Sequence, residues 1–585
     1  MSALRAGEAL VSLTGLKGAA RAHVLARLVR SGFGPFVCVT ADEEKADELA
    51  VDLGFFLGER TASGAPSVLR LPDSEQLPYD ALSPERQVAF ARLAALFHLS
   101  QGTRAAALVL SARALVRRYL PPATLDRHSE LVSANQTLDR DELARKLVAM
   151  GYQSAPMVED AGSFAVRGGI VDVWSPLHDK PVRLEFFGDT VESLRLFEPD
   201  SQRTAGTLET LLLCPAREVL FDEASKDAGI AAVREAADAV NRPSSKVREM
   251  LDGIQEGRLV YGLEALMPGF HHKQLGTLFD YLPKWAKAPL FFIDDPVAFD
   301  SALSELAQAM DQEFSAARRR EELALEPSAH MLPPEEARRL LAGHPRVLSH
   351  AVHLAGPDER SIAFGFGPTA AIRQEILAHH GEHGALTPLV TRLGEWRERG
   401  IFAAVACGSS GQADRLKRLL LDRNLMVRVH ARALREGEGD GSPFPSEPAA
   451  AFEPSVYAHL FSGEISAGFV DPAGSLALLS EEDIFGQRSR KAVRRTRRSD
   501  QPFVTAFREL KEGDLVVHVD YGIGRYAGLL KMAIRGIDTD ALVLEYAGRD
   551  KVYLPVQRMR LLQKFTGADA ENVTLDKLGS GSWER

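Results

Sequence analysis

Cysteine is scarce in this chain. Cys38, Cys214 and Cys407 are the only three in 585 residues, far apart and without CxxC spacing, which excludes a disulfide framework and a thiolate zinc site and suits a reducing cytoplasm. No stretch approaches the roughly eighteen apolar residues of a membrane helix. The start, MSALRAGEALVSLTG, has no basic segment leading into an apolar core, so a chain neither secreted nor membrane-inserted is expected. Positive charge is also short: 70 Lys and Arg stand against 80 Asp and Glu, a net charge of −10. Because nonspecific DNA affinity comes from neutralised phosphates, most faces should repel DNA and any DNA contact should be weak. Metal and nucleophile motifs are missing too. His271-His272 and His379-His380 lack HExxH or CxxC companions. Gly408-Ser409-Ser410-Gly411 is not the GxSxG of a strained nucleophile elbow, and Cys407 before it reads as a small buried hydrophobe at a strand end. No metal and no catalytic residue is assigned.

With 45% hydrophobic and 26% charged residues, the chain can bury several cores, and about four domains are expected. Apolar strand runs (PFVCVT from Pro35, SVLRLP from Ser67, AALVLS from Ala106) alternate with helical stretches (EEKADELAVDLGFFL, RQVAFARLAALFHL). That alternation predicts a βαβ domain with a parallel sheet. From about His128 to Leu213 short strands and turns take over, after which a charged helical segment leads back to the buried-type strand PLFFIDD. An α+β domain inserted into a discontinuous α/β domain follows. A further α/β unit is expected around RSIAFGF and IFAAVAC, and REGEGDGSPFPSEP is a loop by composition. RSRKAVRRTRR, residues 488–498, places seven basic residues in eleven; without aromatics for base stacking it reads as a solvated linker rather than a nucleic-acid tether. Finally, LKEGDLVVHVDYGIGRYAGLLKM and DALVLEYAGRDKVYLPV alternate β-branched or aromatic residues with polar ones, punctuated by glycine, which predicts a small bent β-barrel.

The DYGIGRYAG turn and the KVYLPV strand resemble the RNA-polymerase-interacting module of the bacterial transcription-repair coupling factor family, a Tudor-like barrel shared with CarD regulators. LPDSEQLPYDALSPERQVAFARLAAL (from Leu71), FAVRGGIVDVWSP (from Phe164), VRLEFFGDTVESLRLFEPDSQRT (from Val182) and FFIDDP (from Phe291) resemble the same family's excinuclease-B-like module. Between roughly 345 and 470 the match is vague. The resemblance implies an α/β multidomain chain: a discontinuous excinuclease-B-like α/β domain (1–127 and 214–345) with a degenerate nucleotide site; an inserted UvrA-binding α+β domain (128–213); an α/β domain without assigned role (346–470); a linker with the basic run (471–509); a Tudor/CarD-like barrel that binds the RNA polymerase β subunit (510–570); and the start of a connector (571–585) to a translocase motor. It implies that Arg167, Arg183 and Phe187 contact UvrA. It implies that the barrel docks by adding a strand edge to polymerase, through Arg525, Tyr526, Leu529, Leu530 and Ile537. A monomer is expected.

Nucleotide hydrolysis is the first chemistry to test against this. SLTGLKGAARAHVLARLV sits where such a domain carries its phosphate loop, which needs GxxxxGK(S/T) so that glycine amides surround the phosphates, lysine reaches the β/γ oxygens and the hydroxyl holds Mg²⁺. Here Gly15 and Gly18 are present, but Ala19 and Ala20 follow Gly18, and Lys17 precedes it. In FFIDDP, Asp294 stands at the end of an apolar strand and Asp295 replaces the glutamate that activates water. No cofactor is therefore expected for this chain; ATP and Mg²⁺ belong to the family's motor, expected beyond the C-terminal LDKLGSGSWER. Lesion binding is the second. Tyr79 to Arg86, YDALSPER, runs straight into a helical pattern, leaving no room for the aromatic hairpin with which excinuclease B enters DNA. Two readings of different class remain: an adaptor between RNA polymerase and UvrA, and an ATP-dependent translocase or lesion-binding enzyme.

Overall fold

The computed structural model describes residues 8–61, 65–80, 86–257, 260, 262–285, 289–351, 361–378, 386–430, 444–445, 448–485, 513–564 (except 519–521, 535–536 and 556–561) and 575. Two compact units divide the chain, Met1–Arg488 and Ser489–Arg585.

The first unit opens with β1 (Leu10–Thr14), α1 (Ala20–Arg30), β2 (Phe36–Thr40), α2 (Glu43–Leu57), β3 (Val68–Leu71), α3 (Arg86–Ser100) and β4 (Ala107–Ser111). Every residue of β2 and β4 is buried, as expected for parallel strands covered by helices on both faces. Asp42 caps α2 by accepting from the Lys45 amide at 2.8 Å, and Gly58 stops it at φ 80°. After the insertion, β13 (Leu290–Asp294), β14 (Arg346–His350) and β15 (Ser361–Ala363) complete a seven-stranded sheet of order β15-β1-β14-β13-β2-β4-β3. All its pairings are parallel. This corrects the expected boundary at 345: β14 and β15, the latter from RSIAFGF, flank β1 rather than starting the next unit. Both are short, half-polar segments that pair with β1, more than 300 residues earlier, a pairing no local pattern encodes.

The insertion holds two sheets. The outer strands β5 (Glu130–Ser133) and β12 (Thr210–Leu213) pair antiparallel. Between them β6 (Gln153–Ser154), β7 (Ser163–Arg167), β8 (Ile170–Val173), β9 (Val182–Phe187), β10 (Thr190–Phe197) and β11 (Thr204–Leu208) form a six-stranded sheet in sequence order, β7–β11 as an antiparallel meander and β6 parallel to β7. One face packs a core of Phe164, Val171, Val173, Leu184 and Val191; the other carries a small cluster of Val158, Ala165 and Phe197 and otherwise polar residues that reach solvent.

A second lobe of the first unit is a sheet of order β16-β20-β21-β17-β19-β18, built on β16 (Gly367–Pro368), β17 (Phe402–Cys407), β18 (Val427–His430), β19 (Ala458–Ser462), β20 (Phe469–Asp471) and β21 (Leu476–Ser480). Strand β20 crosses the expected limit of 470 and β21 lies beyond it, so the linker begins later than the sequence suggested. A continuous core joins the lobes, with Leu25, Phe55 and Phe56 of the first against Phe402, Phe461 and Phe469 of the second. The basic run 488–498 lies outside the described residues.

The second unit is an antiparallel sheet of order β25-β24-β23-β22-β26: β22 (Leu515–His518), β23 (Gly522–Ile534), β24 (Ile537–Glu545), β25 (Lys551–Pro555) and β26 (Leu562–Lys564). Val516, Tyr526, Leu542, Leu544, Tyr546 and Leu554 form its core. Among the described residues no helix is long and apolar enough to cross a membrane.

Candidate functional sites

On the open face of the meander, alternation along β9 puts Arg183, Glu185 and Phe187 on one side, and Phe187 is 81% exposed just before the Gly188 turn. Asp172 on β8 sits directly opposite Arg183 and is fully buried. Its carboxylate accepts from Arg183 Nε at 2.7 Å and Nη2 at 2.9 Å, and from Arg167 Nη2 at 2.6 Å. Gln202 Oε1 takes a further Arg183 bond at 3.0 Å, and the guanidinium lies 4.7 Å over the Phe197 ring. One buried anion thus orients two cations whose outer edges reach solvent. Fixed arginine forks on the same face as a bare aromatic ring are the ingredients of an interface hot spot, because their orientation entropy is already spent. The structure therefore brings Arg167, Arg183 and Phe187 together. Sequence reasoning missed Asp172, although an acid inside the apolar run IVDV was a signal, and missed Arg195, which pairs with Glu185 at 2.9 Å on the same face.

At the nucleotide-type site, Gly15 and Gly18 turn with positive φ between β1 and α1. Lys17 points to solvent. The Ala19 amide, where a phosphate would sit, donates to the Ala467 carbonyl of the second lobe at 3.0 Å. Asp294 ends β13, buried, and pairs with Arg21 of α1; burial raises its carboxyl pKa, while Arg21 opposes that shift. Asp295 does a different job, accepting from the Ala298 amide at 3.2 Å to cap the helix Pro296–Arg319. Asp294 is thus paired to arginine and Asp295 serves as a helix cap. Among the described residues no cluster of acids, histidines and cysteines could hold a metal ion. Residues 81–85, where the sequence left no room for an aromatic hairpin, lie outside the described residues; helix α3 starts at Arg86.

In the second unit Arg525 faces outward and Leu530 is 46% exposed. Tyr526 is a correction: it is 6% exposed and belongs to the core, since alternation from Arg525 turns it inward. Side chains of Leu529 and Ile537 lie outside the described residues; their backbones pair with Leu542 and Ile534. Strand β22 pairs with β23 only as far as Arg525, and the Tyr526 backbone closes on Gly513 and Asp514. Past Tyr526, no strand among the described residues covers that side of β23.

Two family models match the chain: the UvrB interaction domain over residues 131–219 and the CarD-like/TRCF RID domain over residues 510–566. The transcription-repair-coupling factor of Myxococcus xanthus is 51% identical over 583 residues, covering all of this chain and 48% of that protein. Those of Escherichia coli and Bacillus subtilis are 28% and 27% identical over 599 and 592 residues, covering 100% and 98% of this chain and 47% and 46% of their own lengths. The chain spans about half the length of the curated relatives it matches. With both domains in place and the match running from end to end, the chain corresponds to the N-terminal portion of a transcription-repair-coupling factor.

Proposed function

We propose that this part of the protein is an adaptor that binds the β subunit of RNA polymerase through the second unit and UvrA through the β7–β9 face, so that excision repair is brought to stalled transcription complexes. The observation that carries the reading is Phe187, exposed on the same sheet face as two arginines that share one buried carboxylate. A large ring left in water beside oriented donors is costly to keep unless a partner covers it. The open side of β23 supports the polymerase half, since an uncovered strand edge offers main-chain hydrogen bonds to an incoming strand. We read the five-stranded sheet as a Tudor-like barrel that acts as a monomer in the cytoplasm. Nucleotide turnover by this chain is not part of the proposal: Ala19 and Ala20 supply neither lysine nor hydroxyl, Asp294 at the end of β13 is paired with Arg21, and Asp295 after it caps a helix. ATP and Mg²⁺ belong to a motor in the full-length relatives.

Leu530→Arg tests the polymerase half. It places a charge on an outward position of the open strand, so co-purification with the β subunit should be lost while the sheet stays folded, because a charge forced into an apolar contact costs several kcal/mol. Undiminished binding would make the second unit a spacer.

A further inference from the structure

Segment Ser466–Gly468, between β19 and β20, reaches from the second lobe to the one place where a phosphate-binding fold would hold its ligand. The Ala467 carbonyl takes the Ala19 amide at 3.0 Å. Ser466 donates its amide and its hydroxyl to the two oxygens of Asp52 on α2, at 2.6 and 2.7 Å. Behind the segment, the buried Asp483 carboxylate accepts from the amides of Gly468 and Ser480 and from the hydroxyls of Ser480 and Thr369, at 2.8–3.2 Å. The fit admits no extra atom on either side. A Cβ on Gly18 would lie 2.7 Å from the Ala467 oxygen, and one on Gly468 would lie 2.5 Å from Asp483 Oδ2 and from the Leu478 oxygen. Around the contact the His23 ring packs within 5.3 Å of Phe56 and 5.5 Å of Phe469, one ring from each lobe.

We propose that Ser466–Gly468 is a built-in occupant of the vestigial phosphate site, and that the site survives as a clamp fixing the second lobe to the first. The amide at the first turn of α1 is the donor a phosphate oxygen would use. Here the acceptor is a neutral carbonyl of the same chain, tethered and therefore present at very high effective concentration. A neutral acceptor needs no lysine, which accounts for alanine at positions 19 and 20 in chemical terms: a cation placed there would face a carbonyl, not a phosphate. Arg21 meets the remaining acid, Asp294, so the pocket is closed electrostatically as well. The lobes consequently move as one body, without nucleotide-driven opening.

Amide exchange on the intact chain tests this. In the wild type the Ala19 amide should exchange as slowly as the core amides of β2, and millimolar Mg-ATP should leave it unchanged. Ser466→Ala removes one donor to Asp52, and Asp52→Ala removes the acceptor; each should speed Ala19 exchange about tenfold or more, with amides of β8 and β9 in the insertion unaffected as evidence of folding. Should Asp52→Ala fail to fold, the milder Ser466→Ala carries the test alone. Fast Ala19 exchange in the wild type, an unchanged rate in Ser466→Ala, or protection of Ala19 by Mg-ATP would each overturn the clamp.

Discussion

Arg21 with Asp294, and Arg167 and Arg183 with Asp172, use the same two functional groups for opposite ends. At the first, a buried acid and a largely covered arginine satisfy each other, and the neighbouring helix amide is taken by Ala467 of the second lobe. At the second, the acid is fully buried, Arg183 is about as covered as Arg21, Arg167 reaches well into solvent, and Phe187 stands exposed on the same sheet face. An ion pair alone therefore says nothing about function. What separates a closed site from an open one is whether the donors not used by the pair are already taken, and whether apolar surface next to it is covered. Burying a charge is tolerable at either place because each carboxylate keeps charge-assisted bonds.

The largest effect that sharpens this contrast comes from adding one methyl group to each site. Gly15 turns after β1 at φ 78°, and a Cβ there would fall 2.0 Å from the carbonyl oxygen of Phe364, just past β15; Gly168 turns beside Arg167 at φ 56° with no atom within 4 Å of its Cβ position. Gly15→Ala should cost about 3 kcal/mol from strain and overpacking together, and Gly168→Ala about 1 kcal/mol from the left-handed backbone only. Denaturant midpoints at unchanged slope measure both. Equal costs would mean that the nucleotide-type site is no more closed than the meander face.

Next in size is a pH effect confined to the closed side. Burial lifts the Asp52 carboxyl from 3.8 to about 6, against the bonds from Ser466 and the charge of Arg21, with Glu48 adding to the rise. The unfolded chain releases this proton near 3.8 and the folded chain near 6, so the folded chain holds more protons in between. Asp52's contribution is thus fully present below the lower value and is lost as pH rises through the upper one. Asn keeps an acceptor for the Ser466 amide without titrating. Asp52→Asn should therefore gain stability relative to wild type, by about 3 kcal/mol between pH 4 and 7; Glu43 and Asp294, whose pKa values are also raised, cancel in the difference, whereas Glu48, coupled to Asp52, adds to it as its own repulsion from Asp52 is removed. A flat difference across that window would show that the carboxylate is not buried between the lobes in solution.

Much of this contrast was readable beforehand, but unevenly. Strands β2, β3 and β4 announce themselves as apolar runs, and the missing Lys-Ser/Thr pair after Gly18 stands in the sequence itself. Arg167, Arg183 and Phe187 came from resemblance; the chain alone would have left Phe187 a core residue. Asp172 stayed hidden because a single acid in a strand looks like any solvated position until its cross-strand partner is known. Ser466, Ala467 and Gly468 are three small neutral residues, and their importance lies wholly in where the fold delivers them. Tyr526 was misread for a related reason: its neighbours Arg525 and Leu530 do face outward, and only the strand's pleat distinguishes it from them.

The adaptor reading is tested most directly by titrating UvrA with the intact chain, its Phe187→Ala variant and its Arg183→Ala variant, without ATP and without polymerase. Phe187 contributes little to folding at its exposure, so Phe187→Ala should change stability by no more than about 0.5 kcal/mol. Each variant should nonetheless weaken UvrA binding by about 2 kcal/mol, roughly thirtyfold. Wild-type affinity in both variants, or no binding by the unaltered chain, would contradict the account.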